Sequence, residues 1–125
     1  MEQFLRSWAR LFDFRGRMRP RDYWLFFLSN FALMIAALIG VAESSPEFLK
    51  MPLLWLIVVS TWLLQVSATV RRLHDTGTSG AMIFVSGVPF LGPICLMILL
   101  VSPGEHGANR YGDDPVRPAL APQPF

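Results

Sequence analysis

Charged side chains are missing from three long stretches of the chain, 23–42, 51–70 and 76–104, which run for 20, 20 and 29 residues. A helix rises about 1.5 Å per residue, so ~20 residues cover the ~30 Å hydrocarbon core of a bilayer. The first stretch, YWLFFLSNFALMIAALIGVA, and the second, MPLLWLIVVSTWLLQVSATV, are apolar on nearly every face. A helix that faces lipid needs that pattern, because lipid offers polar groups no partner. The pattern predicts spans over 23–42, 52–70 and 81–101. The third holds Gly87, Pro89, Gly92 and Pro93 at its centre. Each proline lacks an amide hydrogen and crowds the carbonyl four residues back. One span, kinked or broken at Pro89/Pro93, is expected. A re-entrant hairpin is the alternative; 21 residues are about half of what two full crossings require.

The flanks add detail. Phe4, Trp8, Leu11 and Phe12 recur at helical spacing with Arg6 and Arg10 on the other side, which predicts a short amphipathic helix in the head-group layer. Tyr23 and Trp24 are expected at the water boundary. Ser45 and Pro46 read as the N-cap and first residue of the second helix. Thr76-Gly77 and Ser79-Gly80 read as a turn. Residues 116–125 are proline-rich and expected to be disordered. The predicted fold is therefore an all-α integral membrane protein. An N-terminal interfacial helix precedes three transmembrane helices in a single domain, 1–115.

Composition agrees. The chain of 125 residues is 53% hydrophobic and only 16% charged, against about 25% charged in a soluble domain. This argues against a chain that is disordered as a whole, a coiled coil or a tail-like polyelectrolyte. One cysteine, Cys95, excludes an internal disulfide, and with only His74 and His106 beside it an all-Cys/His zinc site fails. No metal or cofactor is expected.

Charge sets the orientation. Six arginines precede the first span: Arg6, Arg10, Arg15, Arg17, Arg19 and Arg21. Basic residues near spans stay cytoplasmic, so the N-terminus is expected inside. With three spans, eight basic residues lie inside and three outside; with a re-entrant third segment, ten lie inside and one outside. The charge rule and the length rule thus favour different third segments.

Polar residues within the spans suggest how they pack. Ser29, Ala32, Ala36 and Gly40 form a small-residue stripe on helix one. Thr61, Gln65, Thr69 and Arg72 share a face of helix two, and Gln65 and Asn30 are candidates for hydrogen bonds between helices. A polar conduit is the functional reading of that stripe; helix packing is the preferred one, since no charge sits at mid-membrane. Trp62 is expected to pack against a neighbouring helix.

Two clusters carry the remaining chemistry. The first holds Arg15, Arg17, Arg19 and Arg21 at the start of a span, a segment that would attract anionic lipid head groups at about 1 kcal/mol per base. Nucleic-acid binding is not expected, since the membrane accounts for the same residue types. The second is Arg71-Arg72-Leu73-His74-Asp75 with its Thr76–Gly80 turn. Arg71 and His74, and Arg72 and Asp75, are three apart and neighbours on a helix. An enzyme would use His74 as a base oriented by Asp75, but adjacent helical residues do not face each other. The preferred reading is an interfacial polar knot, also able to hold an anion, tied to the N-terminal arginines through Asp22 or Asp13.

Phe14-Arg15-Gly16-Arg17 with Asp22-Tyr23-Trp24, then Arg71 to Gly77 with Ser79-Gly80, then Pro89 with Gly92, then Gly104, Asn109-Arg110-Tyr111-Gly112 and Pro115 together resemble a family of small bacterial inner-membrane proteins, the domain-of-unknown-function 805 family. Asp22 stands where the family usually has Glu, and Ala81 where an aromatic is common. The resemblance implies a multi-pass protein of the bacterial cytoplasmic membrane and supplies no reaction. A non-enzymatic role is expected, in lipid head-group binding or in organising a membrane complex with a second copy or a partner protein. The alternative is a small transporter or channel subunit. A tail on the cytoplasmic side could cover the Arg71–Asp75 cluster.

Overall fold

The computed structural model describes residues 14–116. The expected amphipathic helix around Phe4–Phe12, Asp13, and the tail beyond Val116 lie outside the described residues. Among the described residues every regular element is helical: α1 (Pro20–Ser44), α2 (Glu47–Asp75), a 3₁₀ helix (Gly80–Gly87) and α3 (Leu91–Val101).

Helix α1 begins where Pro20 can occupy the first helical turn without losing a hydrogen bond. Arg19 and Asp22 pair at 3.2 Å across that turn. Its 25 residues extend about 37 Å and the 29 of α2 about 43 Å, so both are long and apolar enough to cross a membrane. The link between them is shorter than expected. Ser45 closes α1, its amide bonded to the Val41 carbonyl, and Pro46 rather than Ser45 caps α2.

The two helices pack along a narrow seam. Tyr23, Phe26 and Asn30 of α1 are buried against Ala68 and its neighbours on α2, joined by Met18 and by Leu100 of α3. Polar groups in the seam bond to one another: Gln65 donates to the Tyr23 hydroxyl at 3.0 Å, Tyr23 and Thr69 share a bond at 3.3 Å, and Asn30 donates to the Thr61 carbonyl at 3.3 Å. Tyr23 is thus a seam residue.

Outside the seam the surface is apolar. Leu28, Leu33, Ile39 and Leu56 are all exposed, and so is Trp62, which does not pack into the chain as expected. The Ala32–Ala36–Gly40 edge also points away from α2, with nothing near a side chain added at Gly40. A surface of this kind is suited to lipid rather than water.

The third apolar segment differs most from expectation. It does not run as one span over 81–101. It folds back on itself as the 3₁₀ helix and α3, joined through Val88, Pro89 and Phe90. The break falls at Pro89, where the segment lacks a donor, and Phe90 takes a left-handed turn at φ 63°. Gly92 permits the fold: a β-carbon there would lie 2.0 Å from the Val85 carbonyl oxygen. The 11 residues of α3 extend only about 16 Å, half of a hydrocarbon core. Both ends of the hairpin return to the C-terminal end of α2. Gly80 lies against Val70, and the Leu100 carbonyl accepts from Arg72 at 3.1 Å. The chain after α3 therefore sits at the same end of the molecule as the segment before α1.

Candidate functional site

Three parts of the chain meet at the C-terminal end of α2: residues 14–19, the last turn of α2, and residues 102–116. The last turn is closed by Thr76 and Thr78, whose amides and hydroxyls all reach the Leu73 carbonyl, and by Gly77 at φ 71°. Helix geometry then sets Arg72 and Asp75 on one face.

Asp75 is the hub. Arg72 donates to its Oδ2 at 2.7 Å, and Arg17 donates to its Oδ1 at 3.0 Å from 58 residues away. All three side chains are almost wholly buried, at 0%, 3% and 1% exposure for Arg72, Asp75 and Arg17. Further guanidinium hydrogens go to backbone carbonyls at the end of α3 and in the tail. Arg72 donates to the Leu100 and Ser102 carbonyls, and Arg17 to those of Glu105 and Gly107. The Asp75 backbone takes part as well, its carbonyl accepting from the Glu105 amide at 2.8 Å. Gly104 makes this approach possible: a β-carbon at that position would lie 2.1 Å from Asp75 Oδ2. Burial pushes the Asp75 carboxyl up, while the hydrogen bond and charge of Arg17 and the charge of Arg72 pull it down. Burial also lowers Arg72, against the pull of Asp75.

His74 lies beside this hub and is not oriented by Asp75. Its Nδ1 faces the Gly16 carbonyl at 3.3 Å, and its ring stacks on Tyr111 with centroids 3.8 Å apart and planes 5° from parallel. Arg110 lies over the Tyr111 ring at 4.8 Å and donates to the Gly77 carbonyl at 3.1 Å. Asn109 donates to the His74 carbonyl at 3.0 Å. Burial holds the His74 imidazole below its ordinary value, and the Arg110 charge adds to this; the Gly16 carbonyl pulls the other way.

The residues singled out in the sequence are thus divided by the fold. Arg72 and Asp75 pair. Arg71 is buried beside them and its carbonyl accepts from the Met18 amide at 3.1 Å. Of the juxtamembrane arginines, Arg17 turns inward, Arg19 pairs with Asp22, and Arg15 and Arg21 are exposed. The side-chain ion pair from α2 to the N-terminal segment is Arg17 to Asp75, with Met18 and Gly16 bonded to Arg71 and His74 beside it; Asp22 pairs with Arg19 instead, and Asp13 lies outside the described residues. Sequence reasoning overlooked Tyr111 as a partner of His74 and Asn109 as a clasp on α2. Their only advance signal was their place in the tail motif.

Among the described residues no group of three or more His, Cys, Asp or Glu could hold a metal ion. The arrangement is one carboxylate shared by two guanidiniums, with backbone carbonyls accepting further donors from both.

Fold and site together define a small helical membrane protein, a hairpin of membrane-length helices with a folded-back third segment, closed at one end by a buried ionic cluster. The chain belongs to the family described as protein of unknown function (DUF805), whose model matches residues 11–113. It is 36% identical over 116 residues to the inner membrane protein YhaI of Escherichia coli, covering 92% of this chain and 96% of the relative. It is 29% identical over 120 residues to the inner membrane protein YhaH of the same organism, covering 92% and 97%. No solved structure matches the chain.

Proposed function

We propose that the protein is a non-enzymatic component of the bacterial cytoplasmic membrane that holds anionic lipid head groups on its arginine-bearing face. In this reading α1 and α2 cross the bilayer and the third segment enters from the cytoplasm and returns to it. The residues before α1 and after α3 both lie on the cytoplasmic side.

The observation that carries the reading is the Arg17–Asp75–Arg72 cluster. It ties the two chain flanks and the end of α2 to one point. Arg15 and Arg21 stay exposed beside it, at the level where anionic lipids reside. The topology also gives the stronger charge asymmetry, ten basic residues inside against one outside. A transporter or channel role would draw on the broken third segment. The seam bonds of Asn30, Gln65 and Thr69 favour packing over a conduit within one chain.

Purification in mild detergent followed by lipid mass spectrometry tests the reading. Arg15→Gln/Arg21→Gln is expected to lower the co-purified anionic lipid; an unchanged content refutes it. A reporter fused after Phe125 is expected to signal from the cytoplasm, and an extracytoplasmic signal overturns the re-entrant topology.

A further inference from the structure

The turn between the 3₁₀ helix and α3 is bare, with residues 86–91 exposed without a break. Its depth follows from its neighbours. Phe84 and Gly87 share a groove with Trp62, which precedes Asp75 by thirteen residues, or about 20 Å along α2. In the topology proposed above, Asp75 lies at the membrane surface. One leaflet contributes about 15 Å of hydrocarbon, so the turn lies near the bilayer midplane.

The backbone of the turn is not self-sufficient. Val88 donates to the Val85 carbonyl at 2.9 Å, Leu91 to that of Pro89 at 2.8 Å and Gly92 to that of Val88 at 2.9 Å. Among the described residues the Phe90 amide reaches no acceptor, and the Ser86 and Gly87 carbonyls receive no donor. The Ser86 hydroxyl is spent on the Ile83 carbonyl at 2.6 Å. Irregular backbone persists at membrane depth only where protein buries it or a water-filled cavity reaches it. The side chains of residues 88–91 are Val, Pro, Phe and Leu, which give water nothing to bind. Protein must cover the turn.

A second copy of the turn has what the cover requires. It is uncharged, since no charged residue occurs from 76 to 104. It carries an unmet donor and unmet acceptors within five residues. A two-fold axis along the membrane normal sets both turns at one depth and brings the donor of each to an acceptor of the other, as an isologous contact demands. The apolar area is also sufficient. Trp62, Phe84 and Phe90 are 64%, 82% and 87% exposed. At ~150–250 Å² per aromatic side chain they leave about 350–580 Å² bare, against ~800 Å² per partner in a stable interface. Val88, Leu91 and Ile94, each at least half exposed, extend the patch.

We infer that two copies of this chain pair through the turns of their third segments, the Phe90 amide of each donating to the Ser86 or Gly87 carbonyl of the other. The pairing rests on the re-entrant topology proposed above.

The test uses the full chain in native membranes, with the exposed Cys95 replaced by Ser so that each chain carries one chosen thiol. Gly87→Cys, with nothing within 4 Å of the added β-carbon, is co-expressed with a differently tagged Phe90→Cys chain and oxidised. A disulfide needs Cα atoms about 4.4–6.8 Å apart, and a mixed dimer bearing both tags is expected. Leu33→Cys, exposed on α1 thirteen residues from its start, replaces Gly87→Cys as the control for chance collision and is expected to give none. Native mass spectrometry of the unmodified chain, released from lipid nanodiscs, is expected to show a dimer. The pairing requires both results. A monomeric unmodified chain overturns it, and so does cross-linking by Gly87→Cys no greater than by Leu33→Cys. A Phe90→Cys disulfide to a different protein overturns the second copy as the cover. If pairing fails while a reporter after Phe125 signals from the cytoplasm, this inference falls and the re-entrant topology stands. An extracytoplasmic signal removes both.

Discussion

Replacing Asp75 by Asn keeps the side chain's shape and removes its charge. The amide oxygen can still accept from one arginine, but the amide nitrogen must face the other. A buried guanidinium then loses its counter-ion. Breaking a buried ion pair from one side costs about 3–5 kcal/mol, because the remaining charge stays out of water. The three side chains here are 3% exposed or less, so water offers little relief. The comparison is Glu47→Gln, which breaks the Glu47–Lys50 pair. That pair has the same 2.7 Å separation as Arg72–Asp75, but Glu47 is 89% exposed. Exposed pairs contribute about 0.2–1 kcal/mol. Equilibrium unfolding in mixed micelles, followed by tryptophan fluorescence, measures both. Hydrogen exchange adds a local readout, with Glu105 losing protection in Asp75→Asn, since its amide bonds to the Asp75 carbonyl. If Asp75→Asn falls within 1 kcal/mol of Glu47→Gln, burial does not set the worth of this cluster and the argument fails.

Further predictions follow from neighbouring features. Gly104→Ala places a methyl group 2.1 Å from Asp75 Oδ2 and is expected to cost about 1–3 kcal/mol. Proteolysis within residues 102–116 should rise, while Gly40→Ala, with nothing within 4 Å, should leave it unchanged. Tyr23→Phe removes the hydroxyl shared by Gln65 and Thr69 and should lower stability by about 0.5–1.5 kcal/mol in the same unfolding assay. His74, held low by burial and by Arg110, binds its proton more weakly folded than unfolded. Its contribution is complete above the unfolded value of about 6.5 and is lost as pH falls through that value toward the folded one. Unfolding measured between pH 7 and pH 5.5 should show this slope, and His74→Gln should flatten it.

The sequence made the two long helices legible because lipid allows few charges, and their absence is easy to count. The seam was legible for the same reason: Asn30, Gln65 and Thr69 are conspicuous among apolar neighbours. The third segment was ambiguous. Its length lies between half a crossing and a full one, and proline predicts a break without giving the angle. Contacts decided it, Gly92 on Val85 and Leu100 on Arg72, and these depend on packing rather than on local pattern. At the candidate site, Arg72 and Asp75 could be paired by helical spacing alone. Arg17 could not be chosen over Arg15, Arg19 or Arg21, since four similar arginines compete and the choice is made by a carboxylate 58 residues away. The stack of His74 on Tyr111 was hidden for the same reason.

The joining of Arg17 to the Glu105 carbonyl across 88 residues has a meaning for synthesis. Arg72 and Asp75 can pair as soon as α2 forms, and Arg17 has by then already left the ribosome. The backbone carbonyls that complete the arrangement are made last. Until residues 102–107 emerge, the nascent hairpin presents two arginines with part of their donors unmet at the membrane surface. A chain cut short before that point would carry the same exposed charges. Completion of the protein is thereby marked by the burial of an ionic patch.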